Sequence, residues 1–328
     1  MTWPWVSGAV PQVMPPDTLG GMTCSPQSFD QIDPMREDRW PLRCPLHLST
    51  APTPLTVLTE LREADELHAR SRIRGLTCAA GHRFDAARQG YVNLLVGAGS
   101  RATPDTAAMI MARERIQDAG VFSALTSALR EIADIRMPQS SRPVLLDCGA
   151  GTGHHLRSLL EGHPSARGIA LDLSPAGLKR AARHPRTLAL AWDLWRDLPL
   201  QSSSVDLLLD IFAPRNVDEY ARVLAPGGAA VVVTPRPGHL AELADGGLLA
   251  MRPDKHADLT AHMGRRLGDA VERRRVRAHV PVAESTAVDL VMMGPAGHHR
   301  EAPDVAAAVA EAGVHEVTVD LDVTVWIA

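Results

Sequence analysis

The sequence has little that would mark a membrane protein, a disulfide scaffold or a globally basic nucleic-acid binder. No apolar run approaches the roughly 18–20 residues that a membrane span needs, and the longest candidate, residues 205–213, is interrupted by Asp210. Four cysteines in 328 residues do not suggest a disulfide framework. The formal net charge is −4, so contact with a nucleic acid would require a local basic surface.

Aromatic residues are also scarce, at 4% of the chain, although apolar residues together make up 45%. A sizeable core must therefore be packed mainly by Ala, Leu and Val. The N-terminus lacks the charged segment and apolar stretch of a secretory signal. We therefore expect a cytoplasmic protein without a membrane partner.

Composition divides the chain into four expected segments. Residues 1–39 are rich in proline and lack apolar periodicity, which predicts a disordered extension or an over-long gene prediction with Met35 as the true start. Residues 40–100 contain paired Cys and His residues and predict a small metal-binding module. The sequence predicts a helical linker over residues 101–139 and the main domain over residues 140–328.

The main domain alternates apolar strands with helices, which predicts an α/β, doubly wound, mostly parallel sheet. The predicted strands are 144–147, 168–171, 188–191, 205–211 and 229–234. Alternating apolar residues at 317–327 predict a late antiparallel strand near the sheet edge. Four clustered arginines are predicted to lie on a surface helix: Arg273, Arg274, Arg275 and Arg277.

The first predicted strand of this domain runs into a glycine-rich turn. Gly149, Gly151 and Gly153 form a GxGxG pattern after Asp147, and glycine allows a sharp bend and a close approach to a ligand. A dinucleotide fingerprint would place its third glycine one position later, where His154 stands. The turn therefore predicts a nucleotide-like cofactor other than a dinucleotide, close to His154 and His155.

Two carboxylates follow the next predicted strands. Asp172 can accept both hydroxyls of a ribose, and Asp193 can meet an adenine amino group. With a Pro226-Gly227-Gly228 turn, these features resemble the ordered motifs of class I methyltransferases. The resemblance implies S-adenosylmethionine as cofactor, bound by Asp147, Gly149, Gly151, Gly153, His154, His155, Asp172 and Asp193.

Two short Cys/His pairs precede this domain. Cys44 and His47 form one pair, and Cys78 and His82 form the other, about 30 residues further along the chain. Thiolate and imidazole groups are preferred zinc ligands, and a small segment with little core gains stability from a metal. The spacing predicts a Zn²⁺ site, although incidental cysteines and surface histidines remain the alternative.

The string from Cys78 to Leu95 resembles the linker of the 23S ribosomal RNA guanine-N1 methyltransferases. That family includes the tylosin- and mycinamicin-resistance enzymes, and the resemblance covers roughly residues 42–328. It implies an N-terminal zinc module for RNA recognition, a 23S ribosomal RNA hairpin as substrate, and a homodimer as one assembly to test. The family's second zinc ligand is normally Cys, and here it is His47.

The resemblance also implies an active-site turn at residues 212–216. Phe212 or Pro214 would pack on an extruded guanine, and Asn216 would read its edge. Asp210 is the nearest carboxylate to act as base, or else a buried acceptor at the strand end. The expected substrate-binding residues are Arg83, Arg88, Tyr91, Asn93, Arg113 and Arg215.

Two other functions stay open at this point. A small-molecule methyltransferase of natural-product metabolism would share the cofactor site, but such enzymes usually cap it with helices instead of a zinc module. An RNA-binding protein without catalysis would share the zinc module. The intact glycine turn and both acidic residues disfavour that second alternative.

Overall fold

The computed structural model describes residues 40–48, 53–60, 72–97, 100, 102–139, 142–249 and 256–328. The expectation for residues 1–39 lies outside this part of the chain. Residues 38–328 cluster into one compact unit. None of the helices in the described ranges is long and apolar enough to cross a membrane.

A three-stranded antiparallel sheet carries most of the small module. Its strands are β1 (Leu55–Glu60), β2 (Arg72–Cys78) and β3 (Arg83–Asp85), in the order β1-β2-β3. A two-residue strand, β4 (Val92–Asn93), leaves this sheet and pairs in parallel with a strand of the large sheet.

The large sheet has eight strands among the described residues, in the order β10-β11-β9-β8-β5-β6-β7-β4. Its remaining strands are β5 (Val144–Cys148), β6 (Arg167–Asp172), β7 (Thr187–Ala191), β8 (Val205–Ile211), β9 (Leu224–Pro235), β10 (Glu272–Pro281) and β11 (Glu316–Ile327). The strands from β4 to β9 are parallel, and β11 is antiparallel to both its neighbours. This confirms the predicted fold class.

Helices connect the strands and cover both faces of the sheet. They are α1 (Ala107–Asp118), α2 (Ser123–Arg136), α3 (His154–Gly162), α4 (Pro175–Ala181), α5 (Val217–Val223), α6 (Ala241–Asp245), α7 (His256–Leu267), α8 (Glu284–Met292), a short 3-10 helix (Pro295–His298) and α9 (Ala302–Ala312). Residues 144–148 and 187–191 are buried throughout, as strands covered on both faces should be.

One expectation for the C-terminal region was wrong. The four arginines lie on strand β10 and not on a helix, because Val276, Ala278 and Val280 alternate toward the core and β11 supplies a pairing partner. The expectation for strand β11 is confirmed, because β11 is antiparallel and lies next to the edge of the sheet, which β10 forms.

The small module and the large sheet share one apolar core. Leu42 and Leu76 belong to the same buried cluster as Leu146 and Leu208 of the central strands. The backbone of Leu42 also forms an isolated antiparallel bridge with Leu200. The small module is therefore packed directly against the large sheet.

Candidate active site and metal centre

The glycine turn lies at the carboxyl end of the central strand β5. Gly149, Gly151 and Gly153 have φ values of 79°, 52° and 73°, a left-handed conformation that side chains disfavour. The amide of Gly149 donates to the Leu171 carbonyl at 2.8 Å, which ties the turn to the end of β6. A Cβ on Gly149 would lie 2.5 Å from the Cβ of Ala213, so the cofactor turn and the turn after β8 are in close contact.

The two predicted cofactor carboxylates lie at the ends of the neighbouring strands. Asp172 accepts hydrogen bonds from the Gly151 amide at 2.7 Å and the Ser174 amide at 2.6 Å. Asp193 accepts from the Ser100 hydroxyl at 2.7 Å and the Trp195 amide at 3.0 Å. Each carboxylate oxygen retains a second lone pair for a ligand hydroxyl or amino group. The acidic and glycine residues therefore fit an adenosine-containing cofactor.

The carboxyl of Asp147 is buried beneath this turn. Its residue is 3% exposed, and burial, with the charges of Asp172 and Asp210 nearby, raises the pKa of Asp147 to about 8. At neutral pH this carboxyl is mainly protonated and acts as a hydrogen-bonding group more than as an anion. Asp147 is therefore suited to shaping the turn from below.

His154 and His155 begin helix α3, and His155 lies against helix α2. The Nδ1 atom of His155 is 3.4 Å from the Thr126 hydroxyl of α2, and the two imidazole rings are 5.1 Å apart. Burial lowers the pKa of His155 to about 3, and it also lowers the pKa of His154. Both rings are therefore neutral near pH 7.

Asp210 ends strand β8 as a fully buried carboxyl. It is 0% exposed and accepts a hydrogen bond from the Tyr220 hydroxyl at 2.6 Å. Its other oxygen, Oδ1, is 3.8 Å from Nε of Arg215 and has no hydrogen-bond partner among the described residues. Burial raises the pKa of Asp210 to about 7, although Arg215 and Tyr220 act in the opposite direction.

The turn after β8 exposes an aromatic ring beside the glycine turn. Phe212 is 43% exposed and has a φ of 58°, an uncommon conformation for an aromatic residue that often marks a functional turn. Its ring stacks on His239, with centroids 5.9 Å apart and planes inclined by 20°, and it also contacts Phe122. Burial lowers the pKa of His239 to about 4, so the stacked imidazole is neutral.

Asn216 and Pro214 help to fix the turn itself. The side-chain amide of Asn216 donates to the Leu194 and Arg196 carbonyls at 3.1 and 3.2 Å, which connects this turn to the loop that carries Asp193. The Pro214 carbonyl lies 3.2 Å from the Tyr220 hydroxyl. Much of the donor capacity of Asn216 is thus used within the protein.

Arg113 lies over the glycine turn. Its guanidinium forms an ion pair with Asp105 at 2.8 Å and donates to the Met293 carbonyl at 3.0 Å. A Cβ on Gly151 would be 3.0 Å from the same guanidinium. This position is close to the glycine turn.

The four predicted metal ligands come together in the small module. The ligand atoms of Cys44, His47, Cys78 and His82 all lie within 4.8 Å of one another. Nδ1 of His82 is 3.6 Å from Sγ of Cys44 and 3.5 Å from Sγ of Cys78. Nδ1 of His47 is buried without a hydrogen-bond partner among the described residues. Two thiols, two imidazoles and an unsatisfied ring nitrogen fit a tetrahedral zinc site.

The other expected substrate residues surround the module's exit into the large sheet. Arg83 is largely exposed and forms an ion pair with Asp85 at 2.8 Å, and Arg88 is exposed in the following turn. Tyr91 packs against the core, and the side chain of Asn93 accepts from the Leu95 amide at 3.0 Å. Tyr91 directly precedes β4 and Asn93 lies in it, so the linker between the small module and the main domain is part of the large sheet.

Three residues at the site carry no distinctive local sequence signal. Tyr220 bonds Asp210, His239 supports Phe212, and Ser100 bonds Asp193. The only available hint was scarcity, since Tyr220 is one of two tyrosines in the chain. Their partners are 10 to 93 residues away, so only the tertiary structure brings these groups together.

Comparison with known proteins gives a consistent result for both parts of the chain. Residues 145–228 match the family model described as "Methyltransferase domain", and residues 65–96 match the model described as "RlmA, N-terminal", a zinc ribbon. The chain is 40% identical over 259 residues to the 23S rRNA (guanine(748)-N(1))-methyltransferase of Streptomyces fradiae, covering 78% of this chain and 92% of that protein. It is 42% identical over 254 residues to a Micromonospora griseorubida protein described as a "putative 23S rRNA (guanine-N(1)-)-methyltransferase", covering 72% and 84% of the two chains.

Proposed function

Because the chain belongs to the family of 23S ribosomal RNA (guanine-N1)-methyltransferases, we propose that it methylates N1 of a guanosine in a hairpin of 23S ribosomal RNA. The observation that carries this proposal is the four-ligand Cys/His cluster, held in the same compact unit as the methyltransferase sheet. A cytoplasmic location and a role in macrolide resistance are part of the proposal. The proposal also keeps the division of the chain into four segments, with boundaries at residues 39, 100 and 139.

S-adenosylmethionine, when bound, supplies an electrophilic methyl group on a sulfonium. The glycine turn would offer backbone amides to the cofactor, while Asp172 would accept hydrogen bonds from the ribose hydroxyls and Asp193 from the adenine amino group. Asp147, His154 and His155 shape the turn and the start of α3 around it. Guanine N1 must lose its proton when it is methylated, so a residue of the chain must accept that proton.

The turn at residues 212–216 is proposed to receive the guanine. Phe212 provides an exposed ring on which an extruded base can stack, and Pro214 limits the turn's flexibility. Arg215 donates to guanine O6, which favours loss of the N1 proton. Asn216 acts by holding the turn against the Asp193 loop through its two bonds to backbone carbonyls.

Asp210 is proposed to accept the N1 proton. Its pKa of about 7 suits a base that works near neutral pH, and Oδ1 is the oxygen without a hydrogen bond. Since the carboxyl is fully buried, this role requires residues 212–216 to move when the base enters. An Asp210→Asn variant should lose at least about 100-fold in kcat while it retains cofactor affinity; unchanged kcat would restrict Asp210 to supporting the turn.

The small module is proposed to hold the RNA. Arg83 and Arg88 lie next to the zinc ligands and would bind phosphates, with Tyr91 and Asn93 lining the path toward the methyl group. Arg113 is proposed to act at the edge of the substrate cleft by holding Asp105 against the glycine turn. A homodimer with two such modules is the assembly to examine by sedimentation velocity.

The decisive experiment is methyl transfer from labelled S-adenosylmethionine to unmodified bacterial 23S ribosomal RNA. The product would be digested and mapped by mass spectrometry. We expect a single N1-methylguanosine in one hairpin loop. Tight cofactor binding without labelled RNA would contradict the proposal and favour the small-molecule alternative.

A further inference from the structure

The edge of the large sheet carries a row of arginines that the proposed mechanism does not use. Strand β10 alternates between exposed and partly buried positions, so Arg273, Arg275 and Arg277 fall on the exposed face. Arg274 points the other way and is bound by Glu131 and Glu272 at 2.5 and 3.0 Å. The strand conformation therefore separates the cluster into one exposed row and one internally paired residue.

The exposed row has a regular spacing. Residues two apart on a strand are about 6.6–6.8 Å from each other, which is comparable to the separation of neighbouring phosphates along a nucleic-acid strand. Arg236 lies beside this row, at a groove of about 460 Å³. The groove is lined by Arg236, Arg273, Arg275, Asp322 and Thr324, by Pro235 and Pro237, and also by Arg274. We call Arg236, Arg273, Arg275 and Arg277 the arginine strip.

Two carboxylates orient half of the strip. Asp320 accepts two hydrogen bonds from Arg275, at 2.7 and 2.8 Å, and Asp322 accepts two from Arg236, both at 2.8 Å. Arg275 also lowers the pKa of Asp320, so the Asp320 carboxylate stays charged. The strip still has two more positive than negative groups, and Arg273 has no ion-pair partner in the described part of the chain.

The strip is continuous with the methyl-transfer site. The Asp320 amide donates to Nδ1 of His239 at 3.4 Å, and His239 stacks on Phe212 of the active-site turn. Arg277 pairs across the sheet with Asp320. The row therefore begins with Arg277 near the active-site edge of the sheet. Arg275 and Arg273 lie progressively farther from that edge along β10.

We propose that the arginine strip binds phosphates of the RNA strand that flanks the target nucleotide. This inference rests on the proposed function and adds a second RNA contact, separate from the zinc module. A net positive row of regular spacing complements a phosphate backbone. A second copy of the chain is a poorer occupant, because edge pairing would bring two rows of arginines together, and charged residues on an edge strand oppose such pairing.

The test compares Arg273→Gln and Arg277→Gln with Arg274→Gln. All three remove one positive charge from the same strand, but the guanidinium of Arg274 is already held by Glu131 and Glu272. RNA affinity would be measured by filter binding to 23S ribosomal RNA between 50 and 200 mM salt, and methylation kinetics would be measured alongside. We expect Arg273→Gln and Arg277→Gln each to raise the KM for RNA about 3–10-fold, with kcat and the KM for S-adenosylmethionine unchanged. Each should reduce the slope of log affinity against log salt by about one.

The Arg274→Gln control should change the KM for RNA less than about 2-fold. If the three variants weaken RNA binding equally, the effect is one of net charge and the strip is not a specific contact. If Arg273→Gln or Arg277→Gln instead dissociates an oligomer in sedimentation velocity, the strip is a protein interface and the proposal is wrong. Normal RNA methylation by all variants would overturn this inference alone, whereas absence of RNA methylation by the unsubstituted protein would overturn the proposed function.

Discussion

At the scale of single residues, the cofactor turn depends on backbone conformations that glycine adopts most freely. Gly149 and Gly227 have nearly the same φ, 79° and 80°, but different surroundings. A Cβ on Gly149 would approach the Ala213 Cβ at 2.5 Å, whereas no heavy atom outside its chain neighbours lies within 4 Å of a Cβ on Gly227. The two positions therefore separate the cost of backbone strain from the cost of a steric conflict.

We expect Gly227→Ala to lower the free energy of unfolding by about 1 kcal/mol, as backbone strain alone would. Gly149→Ala should lower it by about 1–3 kcal/mol more, because Ala213 must move, and should weaken cofactor binding at least several-fold. Urea denaturation and isothermal titration with S-adenosylmethionine measure both effects. Equal losses for the two variants would show that the contact with Ala213 relaxes at no cost.

The buried carboxyl of Asp210 predicts a pH dependence of stability. Its pKa is raised to about 7 in the folded protein, compared with about 3.9 in an unfolded chain. The folded state therefore binds this proton more tightly, and the resulting stabilisation is complete below about pH 4 and is lost as the pH rises to about 7. The slope from one such group is at most about 1.4 kcal/mol per pH unit.

Asp210→Asn should remove that slope while its side-chain oxygen can still accept from Tyr220. We expect the free energy of unfolding of the variant to fall less between pH 5 and pH 7 than that of the unsubstituted protein. Urea denaturation at each pH gives the comparison. Parallel curves for the two proteins would mean that Asp210 does not titrate in this range.

At the scale of secondary-structure elements, the metal ligands hold two distant segments together. Cys44 and His47 lie in the segment before β1, whereas Cys78 ends β2 and His82 precedes β3. The three short strands have little core of their own, so we expect zinc binding to supply part of their stability. With His47 in the place of the family's usual Cys, the candidate site still has four ligands.

We expect one zinc ion per chain in the purified protein, measured by inductively coupled plasma mass spectrometry. His47→Ala should lose most of the metal, whereas His47→Cys should retain it because a thiolate is an equivalent ligand. Cys148→Ala is the matched control, since Cys148 is a buried thiol outside the cluster, and it should retain one zinc. Full metal content in His47→Ala would remove His47 from the ligand set.

At the scale of the whole molecule, the small module and the methyltransferase sheet are joined by packing and by backbone pairing. Cys44 and Cys78 belong to the same buried cluster as Leu146 and Leu208, and β4 pairs with β7 through Val92 and Asn93. Loss of the metal should therefore destabilise more than the three short strands.

We expect one cooperative thermal transition in calorimetry, with a Tm that falls when zinc is removed by a chelator. S-adenosylmethionine should raise the Tm of both forms, because ligand binding to the folded state adds stability by mass action. Two separate transitions, of which only one responds to the chelator, would contradict this coupling. The Cys148→Ala variant should respond to the chelator as the unsubstituted protein does.

The sequence by itself predicted the glycine turn with its two carboxylates, and it predicted the Cys/His cluster. The GxGxG turn, Asp172 and Asp193 each follow a strand directly, and parallel strands bring their carboxyl ends to one edge of the sheet. The pairs Cys44/His47 and Cys78/His82 are equally local, because short spacings limit where each pair of ligands can point. Such features were predictable because their chemistry depends on neighbours in the chain.

The tertiary structure decided what depends on distant partners. The arginine-rich segment is a strand because β11 pairs with it, although arginine itself is a good helix former. Burial within the covered sheet raises the pKa of Asp210, although the hydrogen bond from Tyr220 acts in the opposite direction. Phe212 is supported by His239 from beyond β9. Strand pairing and side-chain burial are set by contacts between residues far apart in the chain, which local periodicity does not encode.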